Sequence, residues 1–205
     1  MNIRKFSCGP MGANCYLLEN EDFAAVIDPS ELIECAVELL KSKKKDKYIL
    51  LTHCHFDHIA AAGRLRDETG VPIYVHRLDF DAVSDPNINL SGIFGFPIDS
   101  FSADKSLYDG DTLSAGQEEI RVIQTAGHTA GSVCYMVGDV LISGDTLFEN
   151  SIGRTDFPTS DVTQMKNSLD RLCRLPDETK VYSGHGDETT IGREKLNNPY
   201  LRYFR

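Results

Sequence analysis

The stretch KYILLTHCHFDH, residues 47–58, joins an apolar run to a turn that holds three of the chain's six histidines and an aspartate. The apolar run reads as a buried β-strand, and the following HIAAAGRLRDETG has the spacing of a helix that stops at Gly70. In an extended segment residues two apart point to the same side, so His53 and His55 aim at one point while Cys54 faces away. Asp57 and His58 fall at the helix start, turned from the first pair and available to a second point. Imidazoles and carboxylates are the donors that borderline divalent ions such as zinc prefer. A solvent-exposed polar turn is the alternative reading; next to a buried strand, unpaired histidines would carry a considerable desolvation cost.

Elsewhere short apolar runs alternate with helix-like segments, punctuated by Gly, Pro, Asp and Ser. Strands are expected near residues 14–20, 23–28, 47–52, 72–76, 118–125, 132–138, 139–145 and 180–185. Helices are expected over 30–43 with Ser30 as N-cap, over 58–70, and over 160–175 with Ser160 as N-cap and Pro176 beyond the end. The expected product is a layered α/β protein. No linker or composition break divides residues 1–205, so one domain is expected. A looser echo, strands followed by a histidine-bearing turn near 48–58 and again near 120–145, suggests two similar halves packed together. Residues 84–105 lack clear periodicity; such a loop is usually functional or disordered, and Phe94, Phe96 and Phe101 favour packing.

Charge and cysteine usage exclude several function classes. Thirty-one acidic against 21 basic residues give a formal charge of −10, which repels nucleic acid and anionic membrane. The one basic run, residues 41–47, fits the carbonyl end of a helix. No apolar run approaches the ~20 residues that a membrane-spanning helix needs. The N-terminus lacks the apolar core of a signal peptide, so a cytoplasmic protein is expected. The six cysteines show no CxxC pairing and several lie in apolar runs, which fits reduced, mostly buried thiols.

Three further ligand-type residues follow predicted strands: His128 in TAGHTAGS, Asp145 in SGDT and His185 in SGHGD, each flanked by Gly or Ser that lets backbone come close. With HxHxDH at 53–58 and then His128, Asp145 and His185, the chain resembles the metallo-β-lactamase superfamily. The segment GDTLFENSIGRTDFP at 144–158 and the SGHGDETT and NNPYLR endings are most similar to the short glyoxalase II-like hydrolases within it. The resemblance implies an αββα sandwich with a metal cleft along one edge. It implies two divalent ions, zinc first and iron or manganese as alternatives: His53, His55 and His128 for one, Asp57, His58 and His185 for the other, and Asp145 bridging. It further implies a metal-bridging hydroxide that attacks a small-molecule thioester such as S-lactoylglutathione, with Asp57 as the catalytic side chain that orients it.

Asp28, in VIDP, and Thr52 are expected behind the ligands, where an acceptor fixes a histidine tautomer. His76 matches no ligand position and is expected at a surface or rim. Substrate contacts are expected from Phe94, Phe96, Phe148 and Arg154, the last of which could instead hold its loop to Asp156. Only 20 residues follow His185, so no helical glutathione-binding domain of the full-length glyoxalase II kind is expected. The alternatives are a persulfide dioxygenase with one iron on His53, His128 and Asp145, and a catalytically silent metal-binding or interaction module. A zinc β-lactamase is disfavoured because a cysteine usually stands there where this chain has Asp145, and a nuclease because the chain is acidic and short.

Overall fold

The computed structural model describes residues 1–203. Its first six-stranded sheet takes its strands in chain order: β1 (Asn2–Cys8), β2 (Ala13–Glu19), β3 (Phe23–Ile27), β4 (Asp46–Leu50), β5 (Ile73–His76) and β6 (Lys105–Leu107). The first three pair antiparallel and the rest parallel. The second six-stranded sheet is built from β7 (Thr112–Ala115), β8 (Glu118–Gln124), β9 (Val133–Val137), β10 (Val140–Gly144), β13 (Lys180–Ser183) and β14 (Thr189–Thr190). Only its β10–β13 pair is parallel. A small hairpin, β11 (Leu147–Phe148) and β12 (Ser151–Ile152), stands apart.

Strand alternation creates the layers. On β2, Tyr16 and Leu18 face the second sheet while Cys15 and Leu17 face outward; on β9, Val133 and Tyr135 face inward while Cys134 faces out. The outer face of the first sheet is covered by α1 (Glu34–Lys41) and α3 (Ala62–Thr69), through Leu39, Leu40 and Leu65. That of the second is covered by α5 (Val162–Leu172), α6 (Ile191–Asn197) and α7 (Pro199–Tyr203), through Met165, Leu169, Ile191 and Leu201. The result is the four-layer αββα sandwich that the sequence implied. Single helical turns α2 (Phe56–Ile59) and α4 (Ser91–Phe94) lie on the connections at one edge. Among the described residues no helix is long and apolar enough to cross a membrane.

Two buried tyrosines tie the sheets together beside that edge. Tyr16 of the first sheet donates its hydroxyl to Ser183 O of the second at 2.6 Å, and Tyr135 of the second donates to Leu51 O of the first at 2.7 Å. Backbone joins them as well: Asn14 N to Gly184 O at 2.7 Å, and Val133 N to Thr52 O at 2.9 Å. Each tie lands one to three residues before or after a predicted ligand turn, so the edge is rigid where the histidines emerge.

Local expectations change in several places. Ser30 does not cap α1; Asp28 sits at φ 52°, Ser30 N donates to Asp28 O in the resulting turn, and the helix starts later, after Ile33. The helix expected over 58–70 is two, α2 and α3, because Ala61 N is drawn to Pro29 O instead of continuing the helical ladder. Gly70 does end α3, at φ 71° with its N–H on Arg66 O. Asp161, not Ser160, caps α5, accepting from Gln164 N at 2.8 Å, while Ser160 Oγ donates to His128 O at 2.6 Å. The loop at 84–105 is packed through Phe101, which is buried against Gly63, and contains α4. The strands β1, β6, β7, β11, β12 and β14 were not expected; β1, β7 and β14 are sheet edges or terminal pairs, where one-sided packing leaves a weak alternation signal.

Candidate metal centre

The ligand-type residues leave the strand ends on the edge just described and are held from behind. Asp28 Oδ1 accepts from Thr52 N at 2.7 Å, and Asp28 Oδ2 accepts from Thr52 Oγ1 at 2.6 Å. With its one proton spent on Asp28, Thr52 Oγ1 accepts from His53 Nδ1 at 3.0 Å, which leaves His53 Nε2 as a free lone pair. His58 Nδ1 donates to Asp28 Oδ2 at 3.0 Å, which turns Nε2 toward His185 Nε2, 3.2 Å away. His128 Nδ1 donates to Arg154 O at 2.8 Å, so its Nε2 is free and lies 2.9 Å from His55 Nδ1. Two ring nitrogens that close need a proton or a cation between them.

Two ligand groups result. His53, His55 and His128, all buried, offer donor atoms within 4.8 Å of one another, as do Asp57, His58 and His185. Asp145 stands between them: Oδ2 lies 3.4 Å from His128 Nε2 and Oδ1 lies 3.4 Å from His58 Nε2. A third grouping, Asp28 with His53 and His58, is compact as well, but both oxygens of Asp28 are already engaged by Thr52 and His58. Close approach is built into the backbone at Gly184, where an added Cβ would sit 2.1 Å from Asp145 Oδ1.

The fit to metal can be tested on unpaired atoms. His53 Nε2, His55 Nε2 and Asp145 Oδ1 are buried without a hydrogen-bond partner. Each such atom costs about 1–3 kcal/mol; His53 Nε2 and Asp145 Oδ1, beside the close approach of His55 Nδ1 and His128 Nε2, fit a divalent cation well.

The two groups differ electrically. Burial, reinforced by the neighbouring imidazoles, pushes His53 and His55 well below the ordinary histidine range, so both are neutral ligands. Burial also opposes protonation of His58, yet Asp145, Asp57 and Asp28 outweigh it and raise it to about 10. Burial and the His58 charge likewise oppose protonation of His185, but hydrogen bonding to Asp57 and the charge of Asp145 raise it. Burial alone would raise Asp57, but His58 and His185 hold it well below the usual carboxylate range, so it stays ionised.

The floor of a cleft of about 260 Å³ exposes His55, Asp57, His128, Asp145 and His185. Phe94 and Phe148 line it as expected, Phe148 standing 6.1 Å edge-on to His185. Phe96 does not line it; it stacks on Phe56 at 5.6 Å and is itself part-exposed to solvent. Arg154 lines the cleft but is committed to its own loop, bidentate to Asp156 at 2.9 and 2.8 Å and lying over the Phe157 ring at 4.2 Å. Phe157 packs edge-on to His55 at 5.6 Å. His76 is buried rather than at a rim, its Nδ1 accepting from Leu78 N, and it joins no ligand group. Cys54 faces away from the ligands, as alternation requires.

Three buried supports escaped sequence reasoning. Asp79 accepts from Cys54 N at 3.0 Å, Thr129 Oγ1 at 2.7 Å and Gly131 N at 2.9 Å, joining the His53–His55 segment to the His128 loop. It follows β5, so the strand-end argument used for Asp28 could have found it. Asn14 donates Nδ2 to Ser183 O and Gly186 O, fixing the His185 turn. Glu194 accepts from Asn150 N at 2.8 Å, Asn198 Nδ2 at 2.8 Å and Thr189 Oγ1 at 2.6 Å, anchoring the β11–β12 hairpin that carries Phe148 and Ile152.

Comparison with known proteins decides the family: the model of the metallo-β-lactamase superfamily matches residues 8–185. The chain belongs to the metallo-β-lactamase superfamily. Relatives within the superfamily include the probable metallo-hydrolase YqgX of Bacillus subtilis, 35% identical over 100% of this chain and 99% of the relative. The hydroxyacylglutathione hydrolase GloC of Haemophilus influenzae is 33% identical over 98% of each chain. Among solved structures, the BLEG-1 B3 metallo-beta-lactamase superposes with a TM-score of 0.89 at 38% identity, covering 98% of this chain and 99% of that one. TTHA1623 in a di-iron-bound form gives 0.84 at 33% identity, covering 97% and 100%. Superfamily and relatives together make this a metal-dependent hydrolase fold with a divalent-metal His/Asp cluster.

Proposed function

We propose that this protein hydrolyses small-molecule thioesters with two divalent ions, zinc being the first choice for these donors and iron or manganese the alternatives. His53, His55 and His128 would hold one ion, Asp57, His58 and His185 the other, and Asp145 both. The observation that carries the reading is Asp145, one oxygen turned to each ligand group at 3.4 Å on the floor of an open cleft. Bound there, the ions supply a water ionised near neutral pH and positive charge for the carbonyl oxygen. Asp57, ionised and facing the cleft, accepts a hydrogen bond from the attacking water and orients it. Asp28 and Thr52 keep His58 and His53 in the tautomers that present Nε2. Hydrolysis adds water across the C–S bond: the acyl carbon gains oxygen and leaves as carboxylic acid, and sulfur leaves as thiol.

The kinship with GloC supports a thioester as the substrate. A one-iron persulfide dioxygenase would need only His53, His128 and Asp145, and would leave the convergence of Asp57, His58 and His185 without a role. The 38% identity to a B3 metallo-beta-lactamase favours a second reading, opening of a β-lactam ring. The deciding experiment measures metal content by elemental analysis and turnover of glutathione and coenzyme A thioesters beside nitrocefin, a chromogenic β-lactam. Two ions per chain with thioester turnover is the expected result. One iron per chain with oxygen uptake on a persulfide, or turnover of nitrocefin alone, would refute the thioesterase reading.

A further inference from the structure

Beyond its floor of ligands, the cleft is walled by apolar side chains: Met11, Leu90, Phe94, Phe148, Ile152 and Phe157. Among the described residues its lining includes no serine, threonine, asparagine, glutamine or tyrosine, and Arg154 is its only arginine or lysine. That cation already faces Asp156 with both oxygens engaged. The apolar wall continues outward into solvent, where Met11 is 47% exposed, Ile93 57%, Phe94 41% and Phe96 41%. Large aromatic and aliphatic side chains left open around a site mark a surface that buries apolar ligand.

We infer that the site selects thioesters whose acyl group is an uncharged apolar chain of several carbons, in preference to short hydroxyacyl groups such as lactoyl. The inference rests on the thioesterase reading. Lactoyl, whose hydroxyl is next to the carbonyl and so stays at the floor, offers this wall only a methyl group, and no neutral polar side chain of the wall rewards a hydroxyl placed further along the chain. A methylene entering the same wall is stabilised by its transfer out of water, up to about 0.8 kcal/mol when fully buried, or roughly fourfold in an equilibrium. The phenylalanines provide that burial on both sides of the floor: Phe94 packs edge-on against Phe157 at 6.0 Å, and Phe148 stands across the cleft beside His185.

The test uses the metal-loaded full chain and a series of S-acylglutathiones, lactoyl, acetyl, butyryl, hexanoyl and octanoyl, with kcat/KM as the first readout. The second readout is calorimetric binding of S-methyl-, S-butyl- and S-hexylglutathione, which are not hydrolysed. The expected result is a rise of about two- to fourfold per methylene from acetyl to hexanoyl. Lactoyl falls below butyryl, and S-hexylglutathione binds at least tenfold more tightly than S-methylglutathione. Phe94→Ala flattens both slopes. A chain-length profile that is flat or peaks at lactoyl, with equal binding of the S-alkyl compounds, would overturn the inference. Absence of turnover for every thioester overturns the hydrolase reading instead, and the calorimetric ratio then decides the apolar pocket by itself.

Discussion

The two ligand groups are built from the same kinds of side chain and behave oppositely. His53, His55 and His128 are all buried, and burial with the neighbouring imidazoles drives His53 and His55 neutral. Asp57, His58 and His185 open toward the cleft, and the acids around them keep His58 and His185 protonated until something displaces the proton. The difference teaches that burial prepares one group for a cation at neutral pH, whereas the other exchanges protons for its cation. Asp145 is the one side chain that belongs to both.

Removing that shared residue gives the largest expected effect. Asp145→Asn lowers metal content toward one ion per chain and reduces thioester hydrolysis by more than the roughly 100-fold that loss of a supporting residue costs. Wild-type turnover in this variant would mean that the two groups do not act together. Next comes a paired test of the contrast itself. His185→Ala keeps the tightly held ion of the buried group, while His53→Ala loses it and keeps only the weaker one; equal affinity for the retained ion in the two variants, read by competition with a chromogenic chelator, would erase the distinction.

Asp79→Asn probes how the buried group is held. Its carboxylate joins the backbone of Cys54 to the His128 loop, so the amide, with one oxygen in place of two, loses the acceptor either for Gly131 N or for Cys54 N and Thr129 Oγ1 and weakens metal affinity about 10- to 100-fold. Competition with a chromogenic chelator reads this directly. On the open side Glu194→Gln loosens the hairpin that carries Phe148: KM rises several-fold, kcat changes little, and the thermal midpoint falls in line with about 1–3 kcal/mol. A kcat loss larger than the KM change would place Glu194 closer to the chemistry than its contacts do.

The smallest effect is in pH. In metal-free protein, native His53 and His55 titrate below the unfolded value of 6.5, so the unfolded chain binds more protons in that range and stability rises with pH up to about 6.5. Native His58 titrates near 10, so between 6.5 and 10 the folded chain binds more protons and stability falls as pH rises. The metal-free midpoint should therefore peak near neutrality, and metal loading, which displaces the His58 proton, should release protons and flatten the alkaline limb. An alkaline limb that is identical with and without metal would show that His58 takes no ion.

Period-two alternation and strand-end placement let the sequence alone arrange His53, His55, Asp57 and His58, because local backbone geometry decides which neighbours share a side. The αββα layers followed from the family motif, and the buried faces of β2 and β9 bear it out. The sequence also marked Asp28 and Thr52, which lie beside their partners in the fold. What it could not show was anything resting on contacts between distant segments. Asp79 across to Thr129, Asn14 to the His185 turn, Glu194 to Asn150, the burial of His76 and the stacking of Phe96 on Phe56 all depend on how distant segments are brought together. Local chemistry determined the ligands; tertiary packing alone decided which carboxylates support them, which imidazoles stay neutral and which side chains wall the cleft.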